Sequence, residues 1–181
     1  MIFRAASQIL CREGLSSLTL AAVAKEAGLS KGGLLYHFPN KVSLIEALFE
    51  YHNDIFERRL VEMAREEGED AGAWLRAYAK ASIEQITDPD TAQLYSSLFA
   101  AEEKYASAHA LMREKYVRWQ IEADQSGLDP NWATLVRLTV DGLWFTEMHQ
   151  YAPLKPQRRD EIMALILQLT QQFTLSQIPL T

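Results

Sequence analysis

Apolar residues recur at helical spacing along almost the whole of this 181-residue chain, and this pattern constrains its fold more than any other feature. Strand signals are nearly absent, because no long stretch alternates β-branched and polar residues. Glycine and proline are few, and they fall mostly where helices should end, for example at Gly14, Gly28 and Pro39. The sequence therefore predicts an all-α protein of about nine helices.

The composition excludes several classes of protein. Hydrophobic residues make up 48% of the chain and charged residues 23%, which predicts a folded protein and not a disordered one. The single cysteine, Cys11, cannot form an intramolecular disulfide, which fits a cytoplasmic protein. No stretch reaches the roughly 18 apolar residues of a membrane span. We also expect no metal site and no cofactor, because none of the four histidines has a metal-binding helical spacing: His37, His52, His109 and His149.

The charge distribution separates a basic head from an acidic body. The whole chain carries a formal charge of −6, yet residues 1–45 carry +3 from five basic and two acidic side chains. The rest of the chain carries −9. A small basic head suits local attraction to phosphate groups, although few charges create the asymmetry. The asymmetry favours a DNA-binding domain over residues 1–45, and the patterns described below predict a helical ligand-binding and dimerisation domain over residues 46–181.

Residues 19–38 predict a helix-turn-helix. Two short helical segments are joined by a tight turn that contains Gly28. The first segment has small apolar residues on one face, which Leu34, Leu35 and Phe38 of the second can meet. The second helix is then free to enter the major groove of DNA by its N-terminal end.

A pair of glycines, Gly32 and Gly33, lies inside this predicted second helix. Each costs about 1 kcal/mol relative to alanine in a helix, and so short a helix is already marginal alone. Close approach of the backbone to the edge of DNA would justify this loss. The alternative is that the glycines only assist the turn or the packing of the helices.

Polar groups suited to phosphate surround the glycines. Thr19 and Ser30 stand at predicted helix starts, where free N–H groups face outward. The other candidates are Lys31, Tyr36, His37 and Lys41. Two of these leave a plainer interpretation open, since Lys41 could be an ordinary solvated charge and His37 a core histidine.

Residues 2 to about 48 resemble the N-terminal domain of the tetracycline-repressor (TetR) family. The resemblance rests on a dense, ordered set of residues: Gly14, Leu18-Thr19, Val23-Ala24, Ala27-Gly28, Ser30-Lys31-Gly32, Leu34, His37-Phe38, Asn40-Lys41 and Leu44. One departure concerns an aromatic residue, because the family often has tyrosine where this chain has Leu35, and Tyr36 takes the following, more variable position.

The resemblance implies a transcriptional repressor, a homodimer that binds a palindromic double-stranded DNA operator and is released by a small-molecule inducer. It also implies that Lys31, Gly32 and Gly33 face bases. The side chains implied to face phosphate are Thr19, Tyr36, His37 and Lys41.

The C-terminal helices predict a dimer interface. A helix that is apolar on all sides, as the stretch from Leu135 to Met148 is, must be buried on all sides. Two such helices near the C-terminus predict a four-helix bundle between two subunits, with a larger monomeric core as the alternative. The predicted interface residues are Leu143, Trp144, Ile162, Leu165, Ile166, Leu169 and Phe173.

Aromatic and methionine side chains of the body are candidates for a pocket that holds a small apolar or amphipathic effector. The same residues could equally be plain core. The candidates are Trp74, Tyr78, Phe99, Met112, Tyr116, Trp119, Trp144, Met148 and His149. Asp141 is a further polar candidate, or a structural residue of the dimer helix.

Two rival functions differ in class. An enzyme could lie in the helical body, but no nucleophile–base motif, metal spacing or phosphate loop supports it, so we predict no enzymatic activity. A helical dimeric interaction module, or a ligand-binding protein of the same fold without DNA binding, is the second alternative. It differs from a DNA-binding protein in that charge reversal at Lys31 and Lys41 would leave it unaffected.

Overall fold

The prediction of an all-α protein is confirmed by the computed structural model, which describes residues 1–87 and 89–172, without the side chains of residues 102, 103 and 172. The described residues contain nine helices and no strand. The helices are α1 (Ile2–Glu13), α2 (Leu20–Glu26), α3 (Lys31–His37), α4 (Lys41–Glu67), α5 (Ala73–Thr87), α6 (Pro89–Lys104), α7 (Ala106–Asp124), α8 (Pro130–Met148) and α9 (Pro156–Gln172). None of them has the length and apolar character needed to cross a membrane.

Local chemistry sets several of these helix ends. The side chains of Thr19, Ser30 and Asp129 accept hydrogen bonds from backbone N–H groups in the first turns of α2, α3 and α8. Pro130 follows Asp129 as the first residue of α8, where its missing N–H costs nothing. Helix α4 is the longest of the described helices and extends to Glu67.

Tertiary contacts divide the chain into two compact units. Unit 1 comprises Met1–Ile55 and Asp88–Glu114, and unit 2 comprises Phe56–Thr87 and Lys115–Thr181. Helices α4 and α7 therefore contribute residues to both units. This division follows contacts alone, so the functional boundary at residue 45 stays a prediction.

Unit 1 has a core in which α6 and the start of α7 join the N-terminal helices. Helix α6 packs on α1, and the buried Ser97 hydroxyl donates a hydrogen bond to the Leu10 carbonyl oxygen at 3.2 Å. One apolar cluster contains Leu34 of α3, Leu44 of α4 and Leu98 of α6. The helices that carry the predicted helix-turn-helix are thus held by residues about 60 positions away in sequence.

Unit 2 is built around α5, which packs against α8 and α9. Leu75, Ala77 and Ala79 of α5 are fully buried, and the small alanines let neighbouring helices approach closely. The indole N–H of Trp132 on α8 donates to the Leu169 carbonyl oxygen on α9 at 3.0 Å. These contacts hold α5, α8 and α9 together. The side chains of unit 2 that they leave uncovered face solvent.

Candidate nucleic-acid interface and ligand-binding region

Helices α2 and α3 form the predicted helix-turn-helix. Helix α2 ends in a hydrogen-bonded cap in which the Leu29 N–H donates to the Ala24 carbonyl oxygen and the Gly28 N–H to that of Lys25. Gly28 has φ +66°, a left-handed conformation that costs glycine nothing. The resulting turn packs α2 against α3.

Helix α3 is held by one face only. Leu34 is fully buried against α2 and the rest of the unit 1 core, whereas every other residue of α3 is exposed. Tyr36 is 86% exposed, so its ring extends into solvent. Leu35 is 37% exposed and lies outside the unit 1 cluster, so of the three residues expected to pack on α2 only Leu34 and Phe38 belong to or pack against that cluster. The outward face of α3 is therefore free to contact a partner.

The two glycines of α3 lie on this outward face. A Cβ added at Gly32 would meet nothing within 4 Å, so the packing of unit 1 does not require glycine there. A Cβ at Gly33 would lie 3.3 Å from the hydroxyl oxygen of Ser30, the residue that caps α3. The packing of unit 1 therefore gives no support to the interpretation that Gly32 serves packing. No contact within the fold offsets the loss of helix stability that glycine causes at this position.

The charged and aromatic candidates on α3 are exposed, but Lys41 is not. Lys31 forms no ion pair with any described residue, and Tyr36 and His37 contact each other edge to face at 5.3 Å. The Lys41 ammonium donates to the Leu15 carbonyl oxygen at 2.9 Å. Burial and the nearby charge of Lys104 lower the pKa of Lys41. Lys41 therefore ties the start of α4 to the loop before α2.

The aromatic candidates of unit 2 form one cluster. Trp74 and Tyr78 stack with ring centroids 5.1 Å apart, and Trp119 lies 5.8 Å from Tyr78. Tyr116 and Phe56 contact Trp119 edge to face at 5.0 and 5.2 Å. Phe56 is a member that the sequence analysis missed, although it recurs at helical spacing with the apolar residues of α4.

A polar network is joined to this cluster through the Tyr78 hydroxyl. The Tyr78 hydroxyl donates to the Asp141 carboxylate at 2.6 Å, and Arg137 pairs with the same carboxylate. Arg137 also donates to the side-chain oxygen of Gln120 at 2.7 Å. Burial raises the pKa of Asp141, although Tyr78 and Arg137 act in the opposite direction. Burial and the Asp141 charge also raise the pKa of Tyr78, so its hydroxyl keeps its proton.

A cleft of about 290 Å³ opens beside the aromatic cluster in unit 2, and we call it the α4–α7 cleft. Its apolar lining consists of Leu60, Val61, Ala64, Trp74 and Trp119. Its charged lining consists of Glu57, Arg118 and Glu122, none of which the sequence analysis singled out. The only available signal was weak: Arg118 and Glu122 flank Trp119 on one helix.

The remaining pocket candidates do not line this cleft. Phe99 and Met112 belong to unit 1, where the Met112 sulfur accepts a hydrogen bond from Asn53 at 3.5 Å. Trp144 donates to the Gln85 side chain at 3.1 Å, and Met148 is buried. His149 contacts the rings of Phe145 and Tyr151, with centroids 4.5 and 5.5 Å away, and those two rings also contact each other.

The predicted dimer residues divide into buried and accessible ones. Leu143 and Ile166 are buried within unit 2, and Trp144, Ile162 and Leu169 are partly buried. Leu165 is 53% exposed, and Phe173 lies outside the described residues.

Within one chain α8 leaves one face uncovered, so the burial on all sides that the sequence analysis predicts would require the second subunit. Leu135, Leu138 and Phe145 are exposed along one face of α8, where Gly142 lies between them. Their spacing of three and seven residues was visible in the sequence, but the uniformly apolar pattern concealed which side faces outward.

Both parts of the chain match family models. Residues 2–48 match the model of bacterial regulatory proteins of the tetR family. Residues 72–171 match the model of a tetracyclin repressor-like C-terminal domain.

Solved structures share the fold at low sequence identity. A transcriptional regulator from Rhodococcus sp. Rha1 is 20% identical with a TM-score of 0.78, over 94% of each chain. A putative regulator from Saccharomonospora viridis, in complex with choline, is 18% identical with a TM-score of 0.70, over 94% of each chain. The multidrug binding protein EbrR, complexed with malachite green, is 19% identical with a TM-score of 0.66, over 93% of this chain and 95% of that one. The two family models together span most of the sequence, and the chain belongs to the tetR family of bacterial regulatory proteins.

Proposed function

We propose that this regulator is a repressor that binds a palindromic operator as a homodimer and leaves it when a small molecule binds unit 2. One observation carries the DNA-binding part: Gly32 lies on the exposed face of α3 at a position where the fold has no need of glycine. Backbone approach to a base-pair edge gives that glycine a purpose.

The neighbouring side chains support the same orientation. Lys31 precedes the glycines and has no partner among the described residues, so its charge is available to a base or a phosphate. Thr19, Tyr36 and His37 are exposed near it and would contact phosphates, and Ser30 and Gly33 hold the first turn of α3. Lys41 would contribute a phosphate contact only by giving up its hydrogen bond to Leu15.

The test compares two exposed lysines after an operator has been selected from random DNA. Lys31→Gln should weaken operator binding about tenfold per subunit and reduce the salt slope by about one for each phosphate interaction removed. Lys25→Gln removes the same charge from α2 and should change affinity much less, because α2 does not enter the groove in this arrangement. Equal losses of affinity in the two variants would contradict the assignment of α3 as the helix that enters the groove, and failure to select any operator would support an interaction module without DNA binding.

The proposed dimer uses the exposed apolar face of α8 with the adjoining surface of α9. Leu135, Leu138 and Phe145 on α8 and Leu165 on α9 are the apolar side chains that a second copy would cover. Leu138→Glu should shift the protein toward monomer in analytical ultracentrifugation without unfolding it, because Leu138 is 53% exposed. Ile55→Glu adds the same charge at an exposed apolar position of unit 1 and should leave the dimer intact.

The proposed release mechanism runs through α4, which contributes residues to both units. A ligand that favours another position of α4 would change the separation of the two α3 helices, which must match successive major grooves roughly 34–36 Å apart. The relatives solved with choline and malachite green support a small organic effector. The effector would be bound and released unchanged, without catalysis, in the cytoplasm where the bacterial chromosome lies.

A further inference from the structure

We propose that the α4–α7 cleft of unit 2 is a binding site for amphipathic organic cations. The inference rests on the proposed function in one respect, because the bound cation is an effector only if the protein is a ligand-responsive regulator. The site itself is argued from the cleft's own lining and would stand as a binding site even if DNA binding failed.

The walls of the cleft suit an apolar body. Leu60, Val61 and Ala64 form the α4 side, and the rings of Trp74 and Trp119 come from α5 and α7. Trp119 is almost fully buried, and its ring is fixed by contacts with Phe56 and Tyr116. A volume of about 290 Å³ lies at the lower end of the range for ligand pockets, so the occupant is small.

The charges of the cleft favour a positive ligand. Glu57 accepts from Arg118 at 3.3 Å and from Lys115 at 2.9 Å, and the lining itself, with Glu57, Glu122 and Arg118 but not Lys115, carries a formal charge of −1. Glu122 forms no ion pair with any described residue, which leaves one carboxylate available beside Trp119. An anion would have to compete with Glu57 for Arg118 and would also face Glu122.

The tryptophan faces add a second attraction for the same sign of charge. The face of an indole ring attracts cations, most strongly where water is excluded, as it is in part at Trp119. A quaternary ammonium joined to an aromatic ring would place its charge between the Trp119 ring and Glu122 and its apolar part against Trp74 and the α4 side of the cleft. A neutral ligand of equal shape would keep the apolar contacts and forgo both electrostatic ones.

The test uses a matched pair of probes, (3-hydroxyphenyl)trimethylammonium and its neutral isostere 3-tert-butylphenol, in calorimetric titration of the full chain. We expect the cation to bind about tenfold more tightly than the phenol. Glu122→Gln should remove most of this preference while leaving phenol binding unchanged. Glu114→Gln removes a charge from the same helix two turns away and should preserve the preference.

Two further measurements complete the test. The first checks that both probes bind in the cleft, and the second separates this proposal from the proposed function. Trp74→Leu should weaken the binding of both probes, since it removes an aromatic wall that both contact. Equal affinity for the two probes, or a preference that survives Glu122→Gln, would overturn the cation site. The operator affinity of the unmodified protein is measured separately: specific DNA binding without cation preference refutes only the cation site, and cation preference without specific DNA binding refutes only the proposed function.

Discussion

The two units bury different kinds of polar group. Among the described residues, the buried polar side chains of unit 1 are His52, Asn53 and Ser97, which are neutral or held neutral. Unit 2 buries ionisable side chains that form ion pairs or charge-assisted bonds, namely Arg76, Asp129 and Glu147. The difference indicates that apolar packing defines the interior of unit 1, whereas matched charges also constrain that of unit 2.

Arg76 is the clearest example in unit 2. Its guanidinium, on α5, contacts Glu67 of α4 at 2.6 Å and Asp70 of the following loop at 2.7 Å. It also donates to the Ala71 carbonyl oxygen at 3.1 Å. Gly72 is required beside it, since its φ is +81° and a Cβ there would lie 2.5 Å from the Thr170 carbonyl oxygen. One side chain therefore joins the end of α4 to the start of α5.

His52 is the corresponding example in unit 1. It shares a hydrogen bond with the Ser7 hydroxyl at 2.8 Å and contacts the rings of Tyr51 and Tyr95. Burial lowers the pKa of His52 to about 4, so the imidazole is neutral at physiological pH. The interior of unit 1 thus favours the neutral form of His52 over the charged form.

The largest effect on the free energy of unfolding is expected from removing a buried ion pair of unit 2. Arg76→Ala should lower the free energy of unfolding by about 3 kcal/mol, because Glu67 would keep only Lys80 as a charged partner. Arg59→Ala is the control, since Arg59 pairs with Glu62 and Glu84 at the surface, where solvent screens the charges, and its loss should be much smaller. Urea denaturation of both variants measures the difference. Similar losses for the two would show that buried charges do not set unit 2 apart.

An intermediate effect is expected from acid on unit 1. The pKa of His52 is lower in the folded chain than in the unfolded one, so its contribution to stability is complete above about pH 6.5 and is lost as pH falls toward 4. The loss should reach about 2–3 kcal/mol. His52→Gln keeps a neutral polar group and should lose less stability over this interval. Parallel pH profiles for the two proteins in thermal denaturation would contradict the assignment.

The smallest effect on stability, and one of opposite sign, is expected at the proposed DNA-facing surface. Gly32→Ala should raise the free energy of unfolding by about 0.5–1 kcal/mol, because the added Cβ meets nothing and helix propensity improves. Operator affinity should fall at the same time. Gly33→Ala should gain less stability, since its Cβ lies 3.3 Å from the Ser30 hydroxyl oxygen. A stabilised Gly32→Ala protein with full DNA affinity would refute close backbone contact at this position.

Sequence reasoning was most successful where the interactions are local. The caps at Thr19 and Ser30 and the turn at Gly28 depend on residues within one helical turn, so their types and spacing suffice to predict them. It was less informative where an apolar pattern was uniform, as in α8, because such a pattern does not show which face the helix leaves uncovered within its own chain. It missed Glu57, Arg118 and Glu122, because charged residues on a helix give no sign of which cleft they face.

The sequence by itself determined the helical class, the helix-turn-helix and the family, because caps, turns and helical periodicity are properties of neighbouring residues. Only the tertiary structure decided that α6 completes the core around α3, that Lys41 binds a backbone carbonyl, and that Glu122 and Trp74 line one cleft. These contacts join residues far apart in the chain. Their formation depends on how whole helices pack, which no local pattern encodes.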